Sequence, residues 1–203
     1  SEMCIRDRYL YNTLGMSGQW ILNSTSPDKH CHVHFQILNP QTGSIETIYF
    51  RDVRNFGTLQ CVQGSDNLDD KLRRIGPDIL DEEPLTKETW LAMIRQCPTW
   101  TLPKYLMNQA KVSGVGNYLK AEALYEANLS PLHPISTFCD DALWYLYQAT
   151  REIARLSYTY RGASFLTYVD ANGDTGGFSF KVYREAVDPY GNPVRNDTTD
   201  DGR

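Results

Sequence analysis

The stretch that most restricts how this chain can fold runs from Leu102 to Pro131, LPKYLMNQAKVSGVGNYLKAEALYEANLSP. It reads as a helix, a glycine-punctuated turn and a second helix. Gly114 and Gly116 can take positive φ or let another backbone come close, and neither suits a helix interior. Asn117 opens a new segment of 3.6-residue period, with Leu119, Ala123, Leu124 and Ala127 as the expected buried stripe. Asn128 suits a left-handed C-cap, and Pro131 follows where no helix could continue. A helix start with free N–H groups behind a small, open turn can cradle a phosphate, and Asn117 adds a side-chain amide. From Arg95 to Lys120 the chain carries four cations, Arg95, Lys104, Lys111 and Lys120, and no Asp or Glu. The net charge of the whole is −5, so this local surface stands apart, and phosphate is its natural partner. Turn and charge alone leave an ordinary helical hairpin with a solvated face equally open.

Two hundred and three residues allow one large domain or two small ones, with ample material for a core. Thirteen Tyr and four Trp exclude a disordered tail. An acidic balance excludes indiscriminate nucleic-acid binding, so any DNA site must be a local basic patch, away from Asp81–Glu83 and Asp197–Asp201. No apolar run is long enough to span a bilayer and no signal-peptide pattern is present, so a soluble, intracellular monomer of cytoplasm or nucleus is expected. The cysteines at 4, 31, 61, 97 and 139 show no CxxC spacing, so neither a zinc ribbon nor a disulfide framework is readable.

In chain order, SEMCIRDR (residues 1–8) matches nothing in a fold; it resembles the translation of a sequencing-library adapter and is set aside as a scar. From Tyr9 to Val62 the pattern is β-rich: YLYNTLGMSGQWIL, KHCHVHFQIL and, after a QTG turn, SIETIYFRDV. Short strands joined by turns predict a sandwich or barrel over 9–80. His30, His32 and His34 alternate on one predicted strand face, but a metal site needs ligands converging from further elements, and a hydrogen-bonded strand face is expected instead. DEEPL (81–85) reads as the linker to a helical domain over 86–162. There Thr86 is a predicted N-cap for a helix to about Gln96, broken by Pro98. Thr137 and Asp140 read as a capping box for a helix burying Leu143, Leu146 and Ile153. Residues 163–203 hold a glycine-rich loop and a predicted β-hairpin around DPYGN.

SGVGNYLKAEALYEANLSPL resembles the helix–two-turn–helix of the formamidopyrimidine-DNA glycosylase / endonuclease VIII family of base-excision repair enzymes. In that family the Asn of the turn and nearby amides grip phosphates beside the lesion. The resemblance gives that role to Gly114, Gly116 and Asn117, with Lys111 as an accompanying cation. LGMSG (Leu14–Gly18) and RDVRNFG (Arg51–Gly57) are similar to the family's paired loops that fill the gap left by a flipped-out nucleotide. Met16 and Phe56 would then be apolar wedges recovering lost stacking, and Arg54 would meet the orphaned base. The cysteine-free C-terminal region is similar to the family's zincless-finger branch, in which a hairpin Arg reaches phosphate; Arg203 would be that residue. The fold implied is α+β: a partial β-sandwich, a helical domain with the helix–two-turn–helix, and an incomplete finger hairpin. The implied partner is damaged double-stranded DNA, with no cofactor and no metal.

Family chemistry uses an N-terminal Pro whose secondary amine attacks C1′ and forms an imine, an adjacent Glu that handles protons, and a Lys on an early β-turn. None is visible here: residue 1 is Ser and the adapter-like segment occupies the start. The expectation is therefore a bifunctional DNA glycosylase/AP lyase gene, read here as an inactive fragment cut at both ends. The alternative class is a non-catalytic nucleic-acid-binding helix–two-turn–helix protein, which has no need of LGMSG and RDVRNFG. A His-based metalloenzyme is a third reading.

Overall fold

A computed structural model describes residues 8–15, 17–22, 29–160 and 177–199. Five strands open the chain: β1 (Arg8–Thr13), β2 (Gly18–Leu22), β3 (Cys31–Leu38), β4 (Ile45–Asp52) and β5 (Thr58–Gln63). They form two antiparallel sheets, β1–β5 and β2–β4–β3, as the alternating pattern predicts. The QTG turn closes the β3–β4 hairpin. Asn39 bonds Ser44 across it, its side-chain oxygen accepts from Gln41 and Thr42 N–H, and Gly43 sits at φ 70°. Trp20 packs on Phe35 and Phe50 and donates its indole N–H to Asn12 Oδ1 at 3.1 Å, tying β2 to β1.

A bulge interrupts β3. Cys31 opposes Arg51 and Val33 opposes Phe50, so His32 is the extra residue and the expected alternation of three imidazoles on one face does not run through. His34 stands instead against the Tyr49 ring.

After β5 a helix, α1 (Ser65–Arg73), still belongs with the strands, and the helical part comprises α2 (Lys87–Ile94), α3 (Leu102–Leu106), α4 (Asn117–Glu126) and α5 (Asp140–Thr159). Its core holds Trp90, Ile94, Leu102, Tyr105, Leu119, Ala123, Leu143 and Leu146, with α5 packed on α2 and α4. Thr86 caps α2 as predicted, accepting from Thr89 N–H. The capping box predicted for α5 does not form: Cys139 is its N-cap, and the Thr137 hydroxyl turns back to the Pro134 carbonyl. Asp140 and Asp141 in the first turn still favour the helix dipole.

The chain divides into two compact units between Leu72 and Arg73. Residues 81–85, expected as the linker, lie within the second unit. Arg151 donates to the carbonyls of Ile79 and Asp81, and Leu85 N–H bonds the Tyr147 hydroxyl. At the far end Val187 and Pro193 pair antiparallel around the DPYGN turn, a short hairpin where one was predicted.

Candidate nucleic-acid interface

In the first unit the geometry centres on one carboxylate. Asp52, at the end of β4, is 2% exposed. Its Oδ1 accepts from the Ser17 hydroxyl at 2.6 Å and from Arg54 N–H at 3.2 Å, and its Oδ2 accepts from Gly57 N–H at 2.6 Å. Ser17 Oγ also accepts from Arg54 N–H. One buried acid therefore locks the loop after β4 to the loop before β2. The Ser17 hydroxyl, followed by the Gly57 amide, holds the Asp52 carboxyl below the ordinary 3.8 against the opposing effect of burial. Asn55 takes φ 56°, a conformation that Asn tolerates better than most residues. The result is a fixed loop that presents Arg54 and Phe56 outward. Phe56 is 58% exposed, and the Arg54 guanidinium lies 5.3 Å from its ring centroid. An aromatic ring held in solvent by a buried network is not core packing.

In the second unit the turn between α3 and α4 is organised by Gln109. Its Nε2 donates to the Val115 carbonyl at 2.8 Å and its Oε1 accepts from Gly114 N–H at 3.1 Å. Residues 76–79 brace the turn from outside through Gly76 N–H to Gln109 O, Ser113 N–H to Pro77 O and Ile79 N–H to Ser113 O. Gly114 takes φ 85°, and a Cβ there would stand 3.1 Å from Ile79 Cγ2. Gly116 differs: it is the N-cap of α4, at φ −111°, and a Cβ would meet no atom within 4 Å. A glycine N-cap brings no side chain to bond the first-turn amides. The start of α4 is thus open to an acceptor from outside.

Glu122, one turn further on, is 2% exposed. Its carboxylate accepts three consecutive backbone amides, Lys181 at 2.9 Å, Val182 at 2.9 Å and Tyr183 at 2.8 Å. This anchors the C-terminal segment on α4 and brings the Tyr183 hydroxyl within 3.5 Å of Asn117 Nδ2. Between α4 and that segment lies a cleft of about 890 Å³, bordered by Asn117, Lys120, Tyr125, Arg184 and Arg195 among others.

Of the residues singled out from sequence, Arg54 and Phe56 share one loop, and Gly114, Gly116 and Asn117 share one turn. Lys111 lies half-buried just ahead of that turn. Met16, Arg203 and most of the glycine-rich loop lie outside the described residues. Asp52, Gln109 and Glu122 hold both arrangements together and were not picked out from sequence. Only Glu122, between Ala121 and Ala123, carries even a weak local signal, a charge flanked by apolar residues.

A β unit with an outward Arg–Phe pair, and a helical unit in which a glycine turn opens one helix, define an α+β protein of the helix–two-turn–helix class. No protein-family model matches the chain. Formamidopyrimidine-DNA glycosylase of Desulfitobacterium hafniense is 31% identical over 179 residues, 86% of this chain and 63% of that protein. Endonuclease 8 of Pectobacterium atrosepticum is 40% identical over 121 residues, 55% of this chain and 41% of that protein. The MutM (Fpg) structure from Thermus thermophilus matches with a TM-score of 0.80 at 28% identity, covering 97% of this chain and 73% of that one. A Lactococcus lactis Fpg structure, in complex with DNA containing N7-benzyl-Fapy-dG, shares the fold with a TM-score of 0.80 at 23% identity. Across most of its length the chain is similar to the formamidopyrimidine-DNA glycosylase / endonuclease VIII family. It spans less than two thirds of the length of these curated relatives.

Proposed function

We propose that this chain is the lesion-gripping portion of a base-excision repair DNA glycosylase/AP lyase acting on oxidised bases. In this reading the 203 residues bind damaged duplex DNA without cleaving it. The observation that carries the proposal is the exposed Arg54–Phe56 pair on a loop fixed by buried Asp52. A duplex with one nucleotide extruded has a hole in its stack and an unpaired base edge. A flat apolar ring answers the first and a guanidinium the second. The open turn at Gly116 and Asn117, with Gly114 and Lys111 nearby, serves phosphates. Met16 and Arg203 extend the wedge and the phosphate grip in the same scheme.

Chemistry at C1′ requires a secondary amine to attack, a group to protonate the departing base, and an imine that acidifies the neighbouring carbon for strand scission. The test uses a duplex containing a tetrahydrofuran abasic analogue and the same duplex undamaged. The wild-type chain is expected to prefer the damaged duplex. Phe56→Ala and Arg54→Ala should each lose most of that preference, by about 1–3 kcal/mol, with little change in thermal stability. Equal affinity for both duplexes in the wild type would sink the repair reading and favour a general nucleic-acid binder. A covalent adduct on borohydride treatment with abasic-site DNA would overturn the binding-only part.

A further inference from the structure

Arg184 borders the cleft beside α4. Arg184 sits at φ 64°, in the left-handed region that side chains other than glycine rarely adopt. The backbone just before it has no freedom to relax, because Glu122 holds the amides of residues 181, 182 and 183. A glycine would meet this geometry with less strain. The sequence places a cation there instead, and strain of this kind gathers at binding sites, where surrounding structure enforces it.

The surroundings suit an anion. The Arg184 guanidinium lies 5.6 Å from the Tyr183 ring centroid, and the Tyr183 hydroxyl meets the Asn117 amide, so the three form a row along one wall. Lys120, 6% exposed, lies one turn below Asn117 on the same helix and also borders the cleft. The two carboxylates bordering it already have partners, some of them in the same lining. Asp188 accepts from the Tyr125 hydroxyl, from Tyr190 and Asn192 N–H and from the Asn192 amide, while Asp197 pairs with Arg195 at 3.1 Å. In a chain of net charge −5, this cleft gathers amide and cationic donors.

We propose that Arg184 is a phosphate-contacting residue, held in its left-handed conformation so that its guanidinium and the Asn117 amide grip the backbone of bound duplex DNA from one cleft. The inference rests on the DNA-binding reading above. Arg–phosphate contact is charge-assisted and commonly bidentate, and it adds to the counterions released on binding.

The experiment measures affinity of the 203-residue chain for the tetrahydrofuran duplex by fluorescence anisotropy across a potassium chloride series. Arg184→Gly should weaken binding about tenfold and reduce the magnitude of the salt slope by about one. Because glycine accepts the backbone geometry, the melting temperature should not fall, which separates lost contact from lost structure. Arg184→Lys should keep most of the slope. Arg155→Gln removes an exposed cation of α5 outside the cleft and should leave the slope unchanged. An Arg184→Gly chain with wild-type affinity and slope overturns this inference while leaving the DNA-binding reading intact. An equal loss in Arg155→Gln overturns the assignment to this cleft. A wild-type chain that binds neither duplex overturns both.

Discussion

Glu122→Gln is the most informative single perturbation of this molecule. It keeps the shape of a side chain that is 2% exposed and changes only its bonding capacity. The wild-type carboxylate accepts two amides on Oε1, from Val182 and Tyr183, and one on Oε2, from Lys181. A glutamine retains one acceptor oxygen, which can keep the first pair as neutral bonds. The other position becomes an NH2 facing the Lys181 N–H, donor against donor. Bonds to a charged acceptor are worth about 1.5–3 kcal/mol each and neutral ones about 1, so roughly 3 kcal/mol of local anchoring is lost. The Lys181–Glu126 contact at 2.6 Å is half-exposed and offsets little of this. Amide hydrogen exchange reads the effect directly. Protection at residues 181–183 should fall by about two orders of magnitude, since about 1.4 kcal/mol is a factor of ten. Amides in the middle of α5 should keep theirs, because the opening is sub-global. DNA affinity should fall with it, as Tyr183 and Arg184 lose their fixed place beside Asn117. Unchanged exchange at 181–183 would show that Glu122 does not anchor this segment, and the reasoning about the cleft would lose its footing.

Asp52 has a folded-state pKa below 3.8, so its contribution to stability is complete above that pH and is lost as pH falls further, through the folded value. Comparing acid unfolding of wild type and Asp52→Asn by Trp20 fluorescence should show a difference at neutral pH that closes below pH 3.8; a constant difference would refute the assignment. Gly114→Ala forces a side chain into φ 85° against Ile79 and should cost about 1–2 kcal/mol in chemical denaturation. Gly116→Ala meets open space and should cost less than about 1 kcal/mol, yet weaken DNA binding by obstructing the approach to the α4 amides. The fully buried Tyr105 hydroxyl finds no partner among the described residues, and burial pushes its pKa up. Tyr105→Phe should therefore raise stability by about 1 kcal/mol, seen as a melting temperature about 2–4 °C higher.

Local chemistry was legible wherever a residue's role is settled by its near neighbours. Asn117 opens α4 and Asn128 is left-handed at φ 53°, because helix starts and stops are decided within one turn of chain. Thr86 caps α2 for the same reason. Expectations failed where a competing local bond or an irregularity in strand pairing displaced the expected pattern. The Thr137 hydroxyl had a nearer acceptor in a short 3-10 turn, so Cys139 took the cap position that the T-x-x-D spacing suggested for threonine. The histidine alternation failed at a bulge, whose single extra residue moves every following side chain to the other face.

The same distinction explains why the exposed tips of the candidate site were found and their supports were not. Arg54, Phe56 and Asn117 lie in short contiguous sequence patterns, RDVRNFG and SGVGN, that can be read without the fold. What fixes them is different in kind: Asp52 reaches back 35 residues to Ser17, and Glu122 reaches forward about 60 to an amide row. A buried carboxylate that satisfies backbone N–H groups can be any Asp or Glu in the chain until the fold brings those amides to it. Such an acid cannot be replaced cheaply, because its removal strands several donors at once. The tips can be exchanged with little effect on folding, while the supports cannot. Substitutions in this protein should therefore sort into two groups: those at 54, 56, 116 and 184 that alter binding and spare stability, and those at 52, 109 and 122 that alter both.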